Sequence, residues 1–381
     1  MKRKVAIIDT LGAHGGAFHF YTFGQSIGLI KSAVDVSLYT NNETNNPQIS
    51  KLNFFSFYKD VFASKYRIIN GLRWIYGSLK SILHARFSGV SIFHFHIFYT
   101  NILVFFNLLL AKFLFGKVVL TIHDVASFAN NRESIIPSNL FYKLSNVILT
   151  HNQFSKEEII KLDSSLKEKI SIIPHGNYIP FINVRNDKQN SRQYLGLPQD
   201  KEILLFFGMI KKVKGLDVLL KSLKNVVNEN PNTILLIAGK TWENDFSSYQ
   251  DIIDKNRLSS NIILHNRFIP HDDVEYYYSA SDLVVLPYKK IYQSGVLMMA
   301  LSYERPALVS DLSPLKEVIT NNENGFVFKS EDANDLTEKI NIILSDKGNL
   351  ERVSENGKLL INEKFSWDQI GELTKQAYQV L

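Results

Sequence analysis

The sequence predicts an α/β protein with two doubly wound domains, each a parallel sheet covered by helices. Short apolar runs alternate with amphipathic stretches along both halves of the chain, which is typical of buried parallel strands joined by crossover helices. The chain has 381 residues, more than one hydrophobic core usually holds. Residues 177–199 are rich in Asn, Asp, Arg, Ser and Pro, and this linker composition separates the two sets of runs.

Twelve apolar runs are predicted as strands, six in each domain. Those of the first domain are residues 5–9, 34–39, 92–96, 118–123, 147–150 and 170–174. Those of the second domain are residues 202–208, 233–239, 262–266, 283–287, 306–310 and 325–328. The predicted organisation is an N-terminal domain at 1–180, a linker at 181–199, a C-terminal domain at 200–360 and a last helix at 361–381 that packs back on the first domain.

The most apolar stretch, residues 102–115, predicts a buried helix. It is shorter than the ~20 residues that a membrane span needs, and it carries Asn107 and Lys112. The basic start of the chain is followed by an apolar run that ends at Asp9, too short for a secretory signal. The absence of cysteine excludes disulfides and Cys-ligated metals, and it fits a cytoplasmic location. Ser366 is the expected N-cap of the last helix.

Charge is distributed unevenly along the chain. Residues 1–170 hold 19 Lys and Arg against 10 Asp and Glu, a net charge of +9, whereas the whole chain has +6. A basic first half can face an anionic lipid surface or an anionic substrate. Nucleic acid is not predicted as a partner, because the sequence contains no recognised binding motif.

The loop at residues 288–297 is the most informative part of the sequence. It follows the predicted strand at 283–287 and leads into a helix beginning near Met298. Backbone N–H groups at a helix start lack helical partners and, with the helix dipole, attract anions. The loop therefore predicts a site for a phosphorylated ligand at the carboxyl ends of parallel strands, held mainly by backbone groups.

A second loop, residues 208–216, also links a predicted strand to a helix. It carries Lys211, Lys212 and Lys214, whose charges could neutralise a diphosphate. A solvated basic loop is the alternative interpretation.

The turn at residues 9–17 is rich in glycine and includes Gly15 and Gly16. Adjacent glycines let a backbone approach a ligand closely. The spacing differs from that of a dinucleotide-binding turn. A ligand-facing turn and a plain tight turn therefore both remain open.

Four histidines, His94, His96, His123 and His175, lie on or directly after predicted strands. The carboxyl ends of parallel strands are where open α/β sheets bind ligands. A structural role is the alternative for each of them. No metal site is predicted, because these histidines do not follow the spacing of common metal-binding motifs.

Taken together, these motifs resemble those of the retaining glycosyltransferases with the GT-B fold, in particular family 4, the glycosyl transferases group 1. The similarity is strongest over residues 200–325, where Phe-Phe-Gly, Lys-Gly-Leu-Asp, Ile-Ala-Gly, Ser-Asp-Leu-Val-Val-Leu-Pro-Tyr, Gln-Ser-Gly-Val and Ser-Asp-Leu occur in this order. The Gly-Gly turn, Thr-Ile-His-Asp at 121–124 and Ile-Pro-His-Gly at 173–176 also match. The GT-B fold implies two Rossmann-like doubly wound domains facing each other across a cleft.

The resemblance implies transfer of a sugar from a nucleotide-sugar, linked to UDP or GDP, to a hydroxyl group with retention at the anomeric carbon. The implied acceptor is a glycan or a lipid-linked sugar in the assembly of bacterial surface polysaccharide. The family uses no cofactor and requires no metal, since basic side chains and backbone N–H groups stabilise the leaving diphosphate.

The resemblance also implies roles for individual residues. The expected catalytic residues are His123, at the donor sugar, and Lys214, at the diphosphate. His96 and His175 are expected on the side of the acceptor or the sugar. The expected donor-binding residues are Gly15, Gly16, Lys211, Lys212, Arg267, Phe268, Ile269, Gln293, Ser294, Gly295 and Val296.

The sequence differs from the family pattern in two places. Met209 stands where many members carry Arg, and Lys211 or Lys212 could replace that cation. Ile291 and Met299 stand where many members carry glutamates, the second of which usually holds the ribose. We interpret these differences as the mark of a subgroup, since Gln-Ser-Gly-Val recurs among family-4 enzymes that build bacterial surface polysaccharide. Lost activity is the alternative.

Residues 54–87 combine aromatic and basic side chains, which favours a surface that lies at a membrane interface. Such a surface would suit a lipid-diphosphate-linked acceptor at the cytoplasmic face of an anionic membrane, with the protein bound peripherally. A core helix with a solvated basic face is the alternative. Two other functions remain open: a nucleotide-sugar epimerase or sugar phosphorylase of the same fold, and a binding module that has lost turnover.

Overall fold

The chain folds into two compact units. The computed structural model describes residues 3–14, 16–98, 100–126, 137–182, 186–242 and 245–381. The first unit comprises Met1–Gly176 and Phe365–Leu381, and the second comprises Asn177–Lys364.

The first unit is built on a parallel sheet. Its described strands are β1 (Lys4–Asp9), β2 (Asp35–Asn41), β3 (Asn53–Tyr58), β4 (Ile92–Ile97), β5 (Lys117–Ile122), β6 (Val147–Thr150) and β7 (Ile170–Ile172). They lie in the order β3-β2-β1-β4-β5-β6-β7. The order reverses between β1 and β4, and open sheets of this kind bind ligands at the carboxyl ends of the two strands where the reversal occurs.

Helices connect these strands. They are α1 (Phe18–Lys31), α2 (Arg67–Phe87), α3 (Ile102–Phe113), α4 (Ser138–Leu144) and α5 (Gln153–Leu162). Asparagine side chains cap two of them: Asn101 accepts a hydrogen bond from the Val104 N–H, and Asn152 accepts one from the Ser155 N–H. Such caps satisfy backbone donors that a helix start leaves unpaired.

The second unit repeats this plan. Its described strands are β8 (Glu202–Phe207), β9 (Thr233–Ala238), β10 (Ile262–His265), β11 (Leu283–Leu286), β12 (Ala307–Ser310) and β13 (Phe326–Phe328), in the order β10-β9-β8-β11-β12-β13. Its helices are α6 (Lys188–Leu195), α7 (Leu216–Glu229), α8 (Ser247–Lys255), α9 (His271–Ala280), α10 (Gly295–Ser302), α11 (Ser313–Lys316), α12 (Ala333–Ser345) and α13 (Lys347–Lys364). The order reverses between β8 and β11, so the corresponding ligand position lies at their carboxyl ends.

The last helix, α14 (Trp367–Ala377), belongs to the first unit and packs against α1. Glycines allow the two helices to touch through their backbones. A Cβ atom on Gly28 would lie 2.0 Å from the Trp367 carbonyl oxygen, and one on Gly371 would lie 2.1 Å from the Gly28 carbonyl carbon. Ser366 is the N-cap, as predicted, and its side chain accepts a hydrogen bond from the Gln369 N–H.

All twelve predicted strands form, with ends that differ from the prediction by at most two residues. The two parallel, doubly wound sheets confirm the predicted fold class. The sequence analysis missed β3, because its alternating aromatic residues were attributed to the aromatic and basic segment at 54–87. In the structure, β3 is the edge strand of the first sheet and pairs in parallel with β2.

Residues 186–199 of the segment expected as a linker are described by the structure and include a helix. Residues 188–195 form α6, whose N-cap Asp187 accepts a hydrogen bond from the Asn190 N–H and whose C-cap Gly196 has the left-handed conformation. Arg192 is buried and donates to the Ala280 carbonyl and to Asp282. The polar composition therefore reflects caps and a buried ion pair, and the segment is part of the second unit.

The apolar stretch at 102–115 is helical, but the prediction that it is buried is wrong. Asn107, Leu108 and Ala111 are the buried residues of α3, whereas Ile102 and Phe113 are largely exposed. A helix that is apolar on all sides has no polar face to show which side meets solvent. Over the described ranges, no helix is both long and apolar enough to cross a membrane.

Candidate functional site

The loops that follow β8 and β11 form one structure at the reversal point of the second sheet. The Lys289 N–H donates to the Val213 carbonyl over 2.9 Å, and Lys289 Nζ donates to Asp217 Oδ2 over 2.8 Å. On the other side, a Cβ atom on Gly208 would lie 3.4 Å from Val296 Cγ2. The predicted basic loop and the predicted donor loop are therefore in direct contact.

Two glycines allow close backbone contacts here, Gly215 between these two loops and Gly239 between the turn after β9 and the loop after β8. Gly215 has φ +69°, and a Cβ atom there would lie 1.8 Å from the Pro287 carbonyl oxygen. Gly239 has φ +147°, and its Cβ atom would lie 2.0 Å from the Gly208 carbonyl oxygen. L-residues rarely adopt either backbone conformation, and neither position has room for a side chain.

The lysines of the basic loop are arranged on aromatic rings. Lys214 Nζ lies 3.8 Å from the centroid of the Tyr288 ring, and Lys211 Nζ lies 4.2 Å from that of Trp242. Lys212 is exposed. Cation–π contacts of this kind hold an ammonium group in place while leaving its N–H donors available to an anion. Lys214 bridges the two loops, since its ring partner belongs to the loop after β11.

Helix α10 begins within the donor loop. Ser294 is its N-cap and accepts a hydrogen bond from the Leu297 N–H over 3.1 Å. A Cβ atom on Gly295 would lie 2.9 Å from the Tyr178 hydroxyl, so this position is tight. Gln293 Oε1 is buried and accepts no hydrogen bond from the described residues. A buried acceptor without a donor is costly, so a bound ligand that donates to Gln293 would be favoured.

The segment Arg267–Phe268–Ile269 follows β10, at the edge of the sheet and two strands from β8. The Arg267 guanidinium lies 3.4 Å from both Asp273 and the Tyr277 hydroxyl. Phe268 is exposed, whereas Ile269 is buried. The segment thus offers an open aromatic ring and backbone groups at the carboxyl end of a strand.

The two positions at which the family glutamates are missing lie in the core. Ile291 and Met299 are both buried, so apolar side chains fit these places and no carboxylate stands there. Met209, which replaces the family arginine, is exposed. The loops therefore lack the two carboxylates and the guanidinium that the family pattern has at these three positions.

In the first unit, the turn after β1 is organised around Asp9. Asp9 is buried and accepts hydrogen bonds from the Gly12 N–H over 2.9 Å and from the Thr22 hydroxyl over 2.8 Å. Gly16 has φ +155°, and Gly15 lies outside the described residues. The buried carboxylate fixes the turn between β1 and α1, next to the reversal point of the first sheet.

Tyr21 of α1 is the centre of an aromatic cluster beside this turn. Its ring centroid lies between 4.9 and 5.4 Å from the ring centroids of His96, His123, His151, His175 and Trp367. The hydroxyl of Tyr21 is buried and has no hydrogen-bond partner among the described residues. Burial raises the pKa of this phenol, so it is neutral at physiological pH.

Three histidines of the cluster form a hydrogen-bonded chain. His151 Nδ1–H donates to the Ile173 carbonyl over 3.0 Å, so its Nε2 is the acceptor in the neutral ring. That atom accepts from His123 Nδ1–H over 3.1 Å, and His123 Nε2 in turn accepts from His96 Nδ1–H over 3.0 Å. The remaining acceptor, His96 Nε2, lies 3.0 Å from the Gln25 amide.

This chain determines the orientation of the Gln25 amide. Gln25 Oε1 faces His96 Nε2, and two acceptors cannot share a hydrogen bond, while Gln25 Nε2 has no partner among the described residues. Rotation of the amide by half a turn lets its nitrogen donate to His96. The four side chains then carry one consistent direction of hydrogen bonding that starts at Gln25 and ends at the Ile173 carbonyl.

Five histidines of this region are neutral at physiological pH: His94, His123, His151 and His175, which are buried, and His96, which is half-buried. Burial lowers the pKa of His96 and of His175 to about 4, and that of His151 to about 3. Burial, together with the neighbouring histidines, lowers the pKa of His94 and of His123 well below the ordinary value. The cluster therefore presents neutral donors and acceptors rather than positive charge.

The structure distinguishes the roles of the predicted histidines. Both ring nitrogens of His123 are hydrogen-bonded within the chain, and its ring stacks on Phe98 with centroids 4.3 Å apart. A ligand can reach these nitrogens only if one of those bonds opens. His94 is held in the core by Tyr378 and Thr121, each over 2.7 Å.

Sequence reasoning missed Tyr21, Gln25 and His151. His151 had a usable signal, because it directly follows the strand at 147–150, as His123 follows β5. Tyr21 and Gln25 lie inside α1, four residues apart on one helical face, and nothing in the sequence marks them. In the part of the chain that the structure describes, no group of three or more His, Cys, Asp or Glu residues has the arrangement of a metal site.

Residues 187–360 match the family model described as glycosyl transferases group 1. This match covers nearly the whole second unit, including both loops at its reversal point. The predicted resemblance to this group is thereby supported for the second unit.

Two curated relatives extend this similarity. The chain is 26% identical over 238 residues to the uncharacterized glycosyltransferase MJ1607 of Methanocaldococcus jannaschii. The aligned stretch covers 61% of this chain and 60% of the relative. It is 25% identical over 235 residues to the capsular polysaccharide biosynthesis glycosyltransferase CapM of Staphylococcus aureus, with the same coverage of each chain. In both cases the aligned stretch spans less than two thirds of the relative.

A solved structure shows the same fold along the whole chain. HepE of Anabaena, determined in complex with UDP and glucose, superposes with a TM-score of 0.77 and 15% identity, covering 100% of both chains. At this identity the likeness concerns the fold, and it supports the predicted GT-B class with its two Rossmann-like domains.

Proposed function

We propose that the protein is a retaining glycosyltransferase of family 4. It moves a sugar from a nucleotide-sugar to a hydroxyl of a glycan or lipid-linked acceptor, in the assembly of a bacterial surface polysaccharide. The observation that carries this proposal is the joined pair of loops at the reversal point of the second sheet, one carrying Lys214 on the Tyr288 ring and the other carrying Ser294 at the start of α10.

These groups suit a leaving diphosphate. As the bond between the sugar and the diphosphate breaks, negative charge grows on the diphosphate oxygens. A fixed ammonium group at Lys214 and the free backbone N–H groups at the start of α10 would stabilise that charge without rearrangement. The acceptor oxygen forms the new bond at the anomeric carbon on the same face, and its proton leaves with the diphosphate.

We propose that the reaction needs no metal and no cofactor. The described lysines of the loop and the helix N–H groups would supply the positive potential for which other enzymes use a divalent cation. This statement is tested by activity in excess chelator.

The comparisons favour UDP as the donor nucleotide, since HepE was determined with UDP and glucose. The name of CapM favours a role in polysaccharide assembly. Because Ile291 and Met299 are buried and apolar, the ribose would be held by other groups. The unpaired Gln293 Oε1 is our candidate acceptor for a hydrogen bond from a ribose hydroxyl or from a sugar hydroxyl.

The first experiment is a thermal-shift panel with UDP, GDP, ADP and their sugar conjugates, with and without EDTA. A ligand that binds only the folded state raises the melting temperature, because it stabilises that state by RT ln(1 + L/Kd), where L is the free ligand concentration. We expect UDP and a UDP-sugar each to stabilise the protein as much in the presence of EDTA as in its absence. Stabilisation that requires a divalent cation would overturn the metal-free proposal.

The competing functions predict different results. A binding module without turnover would bind the nucleotide-sugar and neither hydrolyse nor transfer the sugar. An epimerase would convert one UDP-sugar into another without an acceptor, and a phosphorylase would depend on inorganic phosphate. Product analysis after incubation with the stabilising donor therefore separates all three from the transferase.

A further inference from the structure

Two neighbouring helices of the first unit expose large apolar side chains to solvent. Helix α2 packs on β3 and against α3, and α3 packs on β5. We use the name α2–α3 face for the large apolar residues that these helices and the turn after α3 leave exposed. They are Ile68, Ile69, Leu72, Tyr76, Leu79, Phe87, Ile102, Leu109, Phe113 and Phe115.

Helix α2 exposes large apolar residues and buries mainly small ones, whereas a surface helix usually turns its large apolar residues toward the core. Its buried side is formed largely by small residues, namely Gly77, Ser78, Ser81 and Ala85, with Trp74 and Ile82. Its exposed apolar residues recur at spacings of three and four, which at 100° per residue places Ile68, Leu72, Tyr76 and Leu79 on one side of the helix. The larger apolar residues of α2 are thus mostly turned away from the sheet.

Helix α3 shows the same distribution. Asn107, Leu108 and Ala111 are buried, while Ile102, Leu109 and Phe113 are exposed at spacings of seven and four, one helical side. Solvent-exposed large apolar residues normally occur singly. Their concentration on two adjoining helices indicates a surface that is covered in the cell.

Three exposed phenylalanines lie at the joined ends of these helices. Arg86 Nε donates to the Leu114 carbonyl over 2.9 Å, which ties the end of α2 to the end of α3. Beside this bond, Phe87, Phe113 and Phe115 are 86%, 79% and 88% exposed. Phe115 has φ +57°, an unfavourable backbone conformation for an aromatic residue, and its ring is exposed.

The same region holds the positive charge of the protein. Residues 53–117 contain eight Lys and Arg and one acidic residue, a net charge of +7, whereas the whole chain has +6. The remainder of the chain is therefore close to neutral. Most of these basic residues are exposed: Lys59, Lys65, Arg67, Arg73, Lys80 and Lys117.

We propose that the α2–α3 face binds the surface of an anionic lipid bilayer. Aromatic and aliphatic side chains enter the interface between headgroups and acyl chains, while the surrounding Lys and Arg bind anionic headgroups. A second copy of the chain is disfavoured as the occupant, because pairing would bring two strongly basic surfaces together. The binding is peripheral and extends the proposed function, since it would hold the enzyme beside a lipid-linked acceptor.

The test is flotation of the full chain with vesicles of phosphatidylcholine or of an equal mixture of phosphatidylcholine and phosphatidylglycerol. We expect binding to the anionic vesicles that weakens as salt is added. The triple variant Lys65→Gln, Arg67→Gln, Lys80→Gln should lower the partition coefficient on the order of 100-fold, about fivefold for each charge. The triple variant Phe87→Ser, Phe113→Ser, Phe115→Ser should lower it at least ~10-fold.

Matched variants of the second unit and of α5 serve as controls. Lys224→Gln, Lys255→Gln, Lys316→Gln removes three exposed charges, and Leu162→Ser, Ile342→Ser, Leu359→Ser removes three exposed apolar side chains. Both controls should bind vesicles like the natural chain. Equal losses in control and test variants would overturn the assignment of the surface.

Other outcomes also decide the question. Equal binding to neutral and anionic vesicles would overturn the role of charge. No binding to either vesicle, with a dimer in solution that the phenylalanine variant converts to monomer, would make the face an interface between copies. UDP-induced thermal stabilisation, measured on the same variants, should be unchanged, so failure here is distinguishable from failure of the proposed transferase function.

Discussion

Lys214 is the side chain on which the proposed chemistry most depends. Its ammonium group is held against Tyr288 at the meeting point of the two loops. Because the Tyr288 ring holds its position, the charge would be in place before a diphosphate begins to leave, which is the condition for electrostatic stabilisation.

We expect Lys214→Ala to lower turnover by about 100-fold, since the leaving diphosphate loses a pre-placed cation. The measurement is the initial rate of UDP release at saturating donor. Lys224→Ala, which removes an exposed charge from α7, is the control and should keep full activity. Full activity of the Lys214 variant would remove this residue from the site.

His123 has a structural role and a predicted catalytic role, and the two must be measured separately. Its ring is part of the hydrogen-bonded histidine chain, and it is also predicted to contact the donor sugar. His123→Ala should lower turnover and also lower the free energy of unfolding by ~3 kcal/mol, since it creates a cavity and leaves His96 and His151 without a partner. UDP affinity should be nearly unchanged, because the nucleotide loops belong to the second unit. Titration with UDP checks this, and a loss of affinity as large as the loss of turnover would contradict it.

At the scale of elements, the contact between the loops after β8 and β11 joins the two parts of the proposed site. The strand order reverses at this point, and Gly215 leaves room for the backbone of the other loop. The loops meet through the hydrogen bond from the Lys289 N–H to the Val213 carbonyl. We expect the N-terminus of α10 to face a ligand only while this contact holds. Changes to the loop backbone should therefore affect nucleotide binding as strongly as changes to charged side chains.

A pair of glycines tests this dependence. Gly215 and Gly196 both have positive φ, of +69° and +66°, but a Cβ atom meets the Pro287 carbonyl at the first position and no atom within 4 Å at the second. Gly196→Ala should cost ~1 kcal/mol of backbone strain and leave UDP binding intact. Gly215→Ala should cost more, because the loops must separate, and it should abolish the UDP-induced thermal shift. Equal effects of the two variants would show that the contact is unimportant.

At the scale of the whole molecule, we expect the four buried histidines and half-buried His96 to make stability depend on pH. An unfolded histidine titrates near 6.5, whereas burial lowers the pKa of His96 and His175 to about 4 in the folded protein. Between these values the unfolded state binds more protons. The stabilising effect of neutral histidines is therefore complete above pH 6.5 and is lost as the pH falls toward 4.

Urea unfolding at pH 7.5, 6.5, 5.5 and 4.5 measures this dependence. We expect the free energy of unfolding to fall by up to ~1.4 kcal/mol per pH unit for each histidine that must gain a proton. His151→Gln keeps a donor for the Ile173 carbonyl and removes one titrating ring, so its slope should be smaller. A free energy of unfolding that stays constant from pH 7.5 to 4.5 would contradict the neutral histidine chain.

The sequence alone determined twelve of the described strands, the two-sheet plan and the loops that carry the proposed site. Apolar runs of strand length must be buried, and in parallel sheets their carboxyl ends meet at one edge, so the loop lysines could be placed from spacing alone. The helix after the donor loop was predicted to begin near Met298, whereas it begins at Gly295 with Ser294 as its N-cap. The cap at Ser366 was equally local. These features depend on residues close together in the chain, and pattern reasoning therefore reaches them.

Only the tertiary structure decided which surfaces are covered. Residues 102–115 were predicted as buried and proved half-exposed, residues 188–195 form a helix where a linker was expected, and β3 was missed. The hydrogen-bonded chain from Gln25 to His151 joins residues more than a hundred positions apart. Burial, tautomers and loop contacts result from such distant pairings, and no local pattern in the sequence encodes them.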